Sequence, residues 1–231
     1  MKIALCFSGQ PRYLKECYPA IYKNLLEKYS PDVFVHTWWD ESMPNKKMDL
    51  PSSLSYNRTY FWEENSIDII KNFYSPKVLF HEKQIEFETY SNVNYMLSRP
   101  SHVHSMFYSL EQSNNIKTDY EKENDFTYDA VIRCRFDTIF PTFNVDFYNI
   151  DLGYINCFVM GHGVPNDQFA ISTSENINAY STVYSSLDQY QQSGFTKFVG
   201  EELLTHHLNS NGLNWNNPEL INKLEVDILK K

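Results

Sequence analysis

Clustered positive charge is missing from this chain. Its 231 residues hold 20 Lys and Arg against 29 Asp and Glu, a formal net charge of −9, and no stretch gathers the basic side chains that track a phosphate backbone. Nucleic acid is therefore excluded as the expected partner. Long apolar runs are missing as well: Met1-Lys2-Ile3-Ala4-Leu5-Cys6-Phe7 stops at Ser8-Gly9-Gln10-Pro11, too short for a secretory leader or a membrane helix. No transmembrane segment is expected. Cysteine is scarce, and Cys6, Cys17, Cys134 and Cys157 stand without CxxC or Cys/His metal spacing. Free buried thiols in a reducing, cytoplasmic compartment are the expectation. Asn57-Arg58-Thr59 spells an N-glycosylation triplet, which without a secretory signal reads as coincidence. No internal repeat and no low-complexity segment is found.

What the chain does have is apolar and aromatic mass. Hydrophobic residues make up 42 %, enough for one continuous core, and 17 Tyr, 16 Phe and 4 Trp supply both core filling and platforms for sugar or base rings. One domain over residues 1–231 is expected. Residues 2–7 read as a buried strand. Leu14, Cys17, Ile21, Leu25 and Leu26 recur at helical spacing over 14–28, and Asp32-Val33-Phe34-Val35-His36-Thr37-Trp38 reads as a second buried strand. Strand, helix and strand in that order predict parallel pairing, the opening of a doubly wound sheet whose ligands bind beyond the strands' carboxyl ends. Residues 40–58 read as a loop at that edge. A helix near 63–73, a strand over 77–81, an unpatterned acidic stretch to about 99 and a long helix from Pro100 to about Lys122 follow. The rest predicts short strands near 154–160 and 168–172, a helix near 174–189, and another near 200–211 closed by Asn211-Gly212.

Asp129-Ala130-Val131-Ile132-Arg133-Cys134-Arg135-Phe136-Asp137 is the most informative segment, an apolar strand that runs out into charge. The strand period of two puts Arg133, Arg135 and Asp137 on one face. Guanidinium forks match phosphate oxygens, and a carboxylate at the same edge can hold a divalent ion or a sugar hydroxyl, so the set suits a sugar diphosphate. A structural ion pair closing a strand end is the other reading.

Three segments together resemble the WavE-like polysaccharide glycosyltransferases of bacteria and viruses. They are Ile3-Ala4-Leu5-Cys6-Phe7-Ser8-Gly9-Gln10-Pro11-Arg12, residues Asp32 to Trp38, and Tyr128 to Asp137, in that order. Asn166-Asp167-Gln168-Phe169-Ala170-Ile171-Ser172 and Glu201-Glu202-Leu203-Leu204 extend the resemblance over nearly the whole chain. The fold it implies is GT-A, a single-domain, Rossmann-like α/β fold with a mixed, mostly parallel sheet between helices. About 1–140 would bind the nucleotide sugar and about 141–231 would face the acceptor.

By that resemblance Ser8, Gly9, Gln10 and Arg12 hold the nucleotide, with Thr37, Trp38 and Asp40 after the second strand, Arg133, Arg135 and Gln168 also on the donor side. Trp38 would stack on a base, or prove to be core. Where GT-A enzymes commonly carry Asp-x-Asp, this chain has Arg135-Phe136-Asp137, so one acid is replaced by a cation. Asp137 is then the one candidate metal ligand at that position, for Mn²⁺ or Mg²⁺. Asp167 is the candidate general base, with Glu202 of the Glu201-Glu202 pair competing; a cap or a helix-dipole role is the plain alternative for each. His102, His104, His206 and His207 are ambiguous. The activity implied is hexosyl or related transfer from a nucleoside diphosphate sugar to a surface glycan or lipopolysaccharide-type acceptor, and a homodimer is compatible with it. A sugar nucleotidyltransferase is the runner-up enzyme, although Ser8 to Arg12 lacks the lysine of its glycine-rich loop. A catalytically silent nucleotide- or carbohydrate-binding module is the alternative of another class.

Overall fold

The computed structural model describes residues 1–44, 46, 62–96, 99–138, 146, 149–159 and 163–217. Most of the predicted 40–58 loop, the Asn57 triplet and Gly161-His162 lie outside them.

The chain builds the mixed, mostly parallel sheet that the strand and helix pattern predicts. Among the described residues seven strands, β1 (Ile3–Gly9), β2 (Asp32–Trp38), β3 (Val78–Glu82), β4 (Ala130–Cys134), β5 (Ile155–Val159), β6 (Pro165–Ser172) and β7 (Trp215–Asn216), stand in the order β3-β2-β1-β4-β6-β5-β7. The first four positions are parallel, while β6 runs antiparallel between β4 and β5. β1 and β2 are buried along almost their whole length, with apolar runs at Ile3 to Phe7 and Val33 to Val35, because helices cover both faces of the sheet. Alternate residues sort between the layers. Ile3, Leu5, Phe7, Val33, Val35 and Ile132 face α1 (Leu14–Ile21) and α3 (Ser66–Ile69). Ala4, Cys6, Phe34 and Val131 face α4 (Pro100–Glu123), α5 (Ser174–Ser181), α6 (Leu187–Gln192) and α7 (Gly200–Ser210).

The helices follow their stripes with local departures. Leu14, Cys17, Ile21 and Leu25 are fully buried, and Pro19, which has no N–H for the preceding turn, is followed by a π-helical turn over Tyr22–Leu26 before a last turn, α2 (Glu27–Tyr29). In α4, Val103, Phe107 and Leu110 are buried and Ile116 is partly buried beside them, but Lys117 and Glu121 are buried on the same helix. Lys117 Nζ reaches Glu121 Oε2 at 2.9 Å and Asn178 Oδ1 at 2.8 Å, and Glu121 Oε1 accepts the N–H of Tyr128 at the entry to β4. This polar knot ties α4 to α5 and to the central strand.

Three expectations need correction. β4 ends at Cys134, whose partner is Phe169, and Arg135 and Asp137 then turn away, so Arg133, Arg135 and Asp137 do not share one face of a strand. The helix expected near 174–189 is two: Thr182 and Ser186 turn their hydroxyls onto the carbonyls of Ala179 and Thr182, and a 3₁₀ turn over Tyr184–Ser186 separates α5 from α6. The strand expected near 168–172 begins at Pro165, and β7 was not foreseen. All four cysteines are buried and unpaired. Burial pushes the thiols of Cys6 and Cys134 up to about 12, which keeps them unreactive. Among the described residues no helix is long and apolar enough to cross a membrane.

Candidate functional site

A cavity of about 560 Å³ opens beyond the carboxyl ends of β1, β2 and β4. Its walls come from Ser8 to Arg12, from Trp38, from Arg133 to Asp137, from the 84–87 segment after β3 and from the first turns of α4. The position is the one open parallel sheets offer to ligands, where strands end and helices begin.

The loop after β1 is held from beneath. Gly9 sits at φ +103, which favours glycine, and its N–H donates to Ser109 Oγ at 2.7 Å. The Ser109 hydroxyl meets His36 Nδ1 at 2.7 Å, and His36 Nε2 meets Glu82 Oε1 at 3.0 Å. Burial lowers the His36 pKa, with Glu82 acting against it. Thr37, fully buried, donates to the Gly9 carbonyl at 2.8 Å, so it shapes the loop rather than lining the cavity. Asp40 caps the N–H of Ser42 at 2.7 Å and also stands outside the lining, its pKa lowered by its bonds to Ser42.

Two arginines clasp one carboxylate at the cavity wall. Arg135 donates from Nε to Asp137 Oδ1 at 2.8 Å and from Nη2 to Oδ2 at 2.7 Å, and Arg12 Nη2 reaches the same Oδ2 at 3.0 Å. Burial, the largest single influence, raises the Asp137 carboxyl, but Arg135 and Arg12 together bring it down to about 2. Arg135 is raised above its ordinary value, because Asp137 and, more weakly, Asp167 overcome its burial. Burial lowers Arg12.

Arg133 differs from both. It is 1 % exposed and lines the cavity, yet its Nε and Nη1 have no hydrogen-bond partner among the described residues. Ser8 Oγ, Arg12 Nε and Trp38 Nε1 are likewise buried without partners, and all belong to lining residues. Buried donors left unpaired are costly, and four residues that carry them line this one cavity. The N-terminus of α4 adds Ser101, His102 and Ser105 to the same wall, with its dipole favouring negative charge. Trp38 presents one ring face to Tyr108, centroids 5.4 Å apart and nearly parallel. His104 instead turns into the core, bonded to Tyr95 Oη at 3.0 Å.

The residues from the second half of the chain stand apart. Asp167 and Gln168 lie on β6, outside the lining, although Asp167 is close enough to influence Arg135. Gly200 opens α7 directly against it: a Cβ there would come within 2.8 Å of Asp167 Oδ2. The next residue, Glu201, has its pKa raised by burial first and then by Asp167. Glu202 is half exposed and 3.7 Å from Lys197. Glu201 is thus the member of the pair that shares an environment with Asp167. His207 is buried between Tyr190 Oη and the Ala179 carbonyl, and His206 stacks on Phe195. Gln84, Ile85, Glu86, Phe87, Ser105 and Met106 line the cavity without any signal in the sequence.

The donor set does not fit a divalent metal. Both oxygens of Asp137 are taken by guanidinium groups, and Glu86 is the one other carboxylate of the lining. Among the described residues no three of His, Cys, Asp and Glu come together.

No family model matches the chain, and no curated protein sequence matches it. Among solved structures, one similar chain is the apo form of the glycosyltransferase GlyE of Streptococcus pneumoniae, 14 % identical with a TM-score of 0.44. The match covers 95 % of this chain but 46 % of that one, so this chain spans about half the length of that protein. A second is the active-site mutant Q189E of LgtC, 11 % identical with a TM-score of 0.49, covering 94 % of this chain and 73 % of that one. At these values neither likeness bears on the chemistry of the cavity.

Proposed function

We propose that the chain is a glycosyltransferase that moves a sugar from a nucleoside diphosphate sugar to a hydroxyl group. The observation that carries this reading is the buried, unpartnered guanidinium of Arg133 in a cavity at the strand ends, flanked by the clasped Arg12 and Arg135. A diphosphate matches guanidinium groups in hydrogen-bond geometry, and its negative charge meets the two positive charges that remain after Asp137 offsets one of the three arginines. Ser8, Gln10 and the Trp38 indole N–H supply neutral polar groups of the kind that meet a ribose or a base. Positioning and stabilisation of the leaving diphosphate make the main catalytic contribution. Asp167, beside Arg135, is the base for the acceptor hydroxyl. The acceptor class is a surface glycan of the lipopolysaccharide or capsule kind, as the WavE-like resemblance implies, and the reaction is cytoplasmic.

The test is thermal unfolding in the presence of uridine or guanosine diphosphate. At a hundred times the dissociation constant a ligand bound only to the folded chain adds about 2.7 kcal/mol, which for a chain of this size raises Tm by about 5–10 °C. Nucleoside alone lacks the diphosphate and shifts Tm much less. Equal shifts with nucleoside and diphosphate would refute the reading.

A further inference from the structure

We propose, resting on the donor reading above, that transfer requires no divalent metal: Asp137 is a tether for Arg12 and Arg135, and Arg133 supplies the charge that the departing diphosphate meets. The Asp-x-Asp position of a metal-dependent site offers a carboxylate to a cation. Here the remaining carboxylate, 3 % exposed, is enclosed by two fixed cations at 2.7–3.0 Å, and a divalent ion reaching it would sit against both. Charge around the clasp is already settled: one carboxylate between two guanidinium groups leaves a net single positive charge.

Arg133 adds a second positive charge, and among the described residues it has no ion pair, unlike Arg12 and Arg135. Its backbone lies in β4, a central strand paired on both sides, and the residue is 1 % exposed, so packing restricts the guanidinium before any ligand arrives. Prepaid orientation of this kind is what makes a cation effective against charge that develops in the transition state. Ser8 Oγ, Arg12 Nε and Trp38 Nε1 are further donors without a partner among the described residues, and they too belong to residues that line the cavity. In the step itself the bond between the donor's anomeric carbon and the phosphate oxygen breaks, and its electron pair leaves with the nucleoside diphosphate. The acceptor oxygen forms the new bond to that carbon, and its proton passes to the Asp167 carboxylate. Arg133 donates hydrogen bonds to the leaving oxygens and transfers no proton.

The experiment measures calorimetric binding of uridine and guanosine diphosphate, and turnover of the nucleotide sugars of the base that binds. Each is run in EDTA, then with excess Mn²⁺ or Mg²⁺. Affinity and turnover are expected to be the same with chelator and with metal. Arg133→Met is expected to cost about a hundredfold in affinity in either condition, the scale of a lost charge-assisted bidentate pair. Arg133→Lys keeps the charge without the fork, recovers part of that loss, and serves as the folded control. Asp137→Asn is expected to weaken binding equally with and without metal, since it frees Arg12 and Arg135 and removes no ion. Nucleotide binding or turnover that disappears in EDTA and returns with Mn²⁺ overturns the proposal and leaves the donor reading standing. Absence of any nucleoside diphosphate binding in both conditions overturns the donor reading and the proposal together.

Discussion

Acid should loosen the protein at one place that can be isolated by substitution. Asp137 titrates at about 2 when folded, whereas an ordinary aspartate titrates at 3.8. A carboxyl depressed in the folded state adds stability above its unfolded pKa and loses it as pH falls toward the folded one. The window is therefore pH 4 down to pH 2. Taking 1.36 kcal/mol for each pH step between the two values gives about 2 kcal/mol at neutral pH, and about 1 kcal/mol of that is gone by pH 3. Many other carboxyls titrate there, so the wild-type curve alone decides nothing. Urea unfolding of wild type and Asp137→Asn, measured side by side from pH 5.5 to pH 3, removes the common part. The stability gap between the two proteins should narrow by about 1 kcal/mol as pH falls from 5 to 3. A gap that stays constant over that range would mean that the clasp does not hold Asp137 ionised, and the geometry at 2.7–3.0 Å would not describe the protein in solution.

Lys117→Met leaves Glu121 buried without its cation and should cost about 3–5 kcal/mol, lowering Tm by roughly 10 °C in a thermal scan; a loss under 1 °C would show that the knot between α4 and α5 is not formed. Asp167→Asn should leave nucleotide affinity nearly intact while transfer falls by about a hundredfold, the usual scale for a lost general base. Glu202→Gln, half exposed beside Lys197, should transfer at the wild-type rate, and a dead Glu202 variant beside an active Asp167 variant would move the base to the start of α7.

The parallel half of the sheet was legible because its signals are local. β1 and β2 carry the continuous apolar runs Ile3 to Phe7 and Val33 to Val35, a pattern that burial on both faces demands, and the stripe Leu14, Cys17, Ile21 and Leu25 fixes the covering helix without knowledge of the rest. The exit from β4 was misread for the opposite reason. Nothing in Arg135-Phe136-Asp137 says that the pairing of β4 with β6 ends at Cys134 and Phe169, and without a partner the alternation of a strand has nothing to maintain it. Likewise the 84–87 segment lies on the cavity through contacts such as Gln84 with Ser105, 21 residues away, which no local pattern carries.

The candidate site divides along the same line, with consequences for its chemistry. Residue types that can meet a diphosphate were visible in Ser8-Gly9-Gln10-Pro11-Arg12 and in Arg133 and Arg135, because donors are donors wherever they stand. Their partners were not visible. Asp137 is a candidate metal ligand by the resemblance to Asp-x-Asp, but Arg12, 125 positions earlier, joins Arg135 on its carboxylate, and that long-range contact completes an ion-pair anchor. Glu201 and Glu202 are indistinguishable in a sequence, yet neighbouring residues of a helix point about 100° apart, so only one of them can turn toward Asp167. Arg133 is the sharpest case. Its importance lies in what it lacks, two hydrogen-bond partners in a buried place, and an unmet donor is a property of the folded surroundings. A chain that buries a guanidinium and leaves it unpaired loses stability by doing so, and an anion that arrives later and occupies it recovers that loss as binding energy.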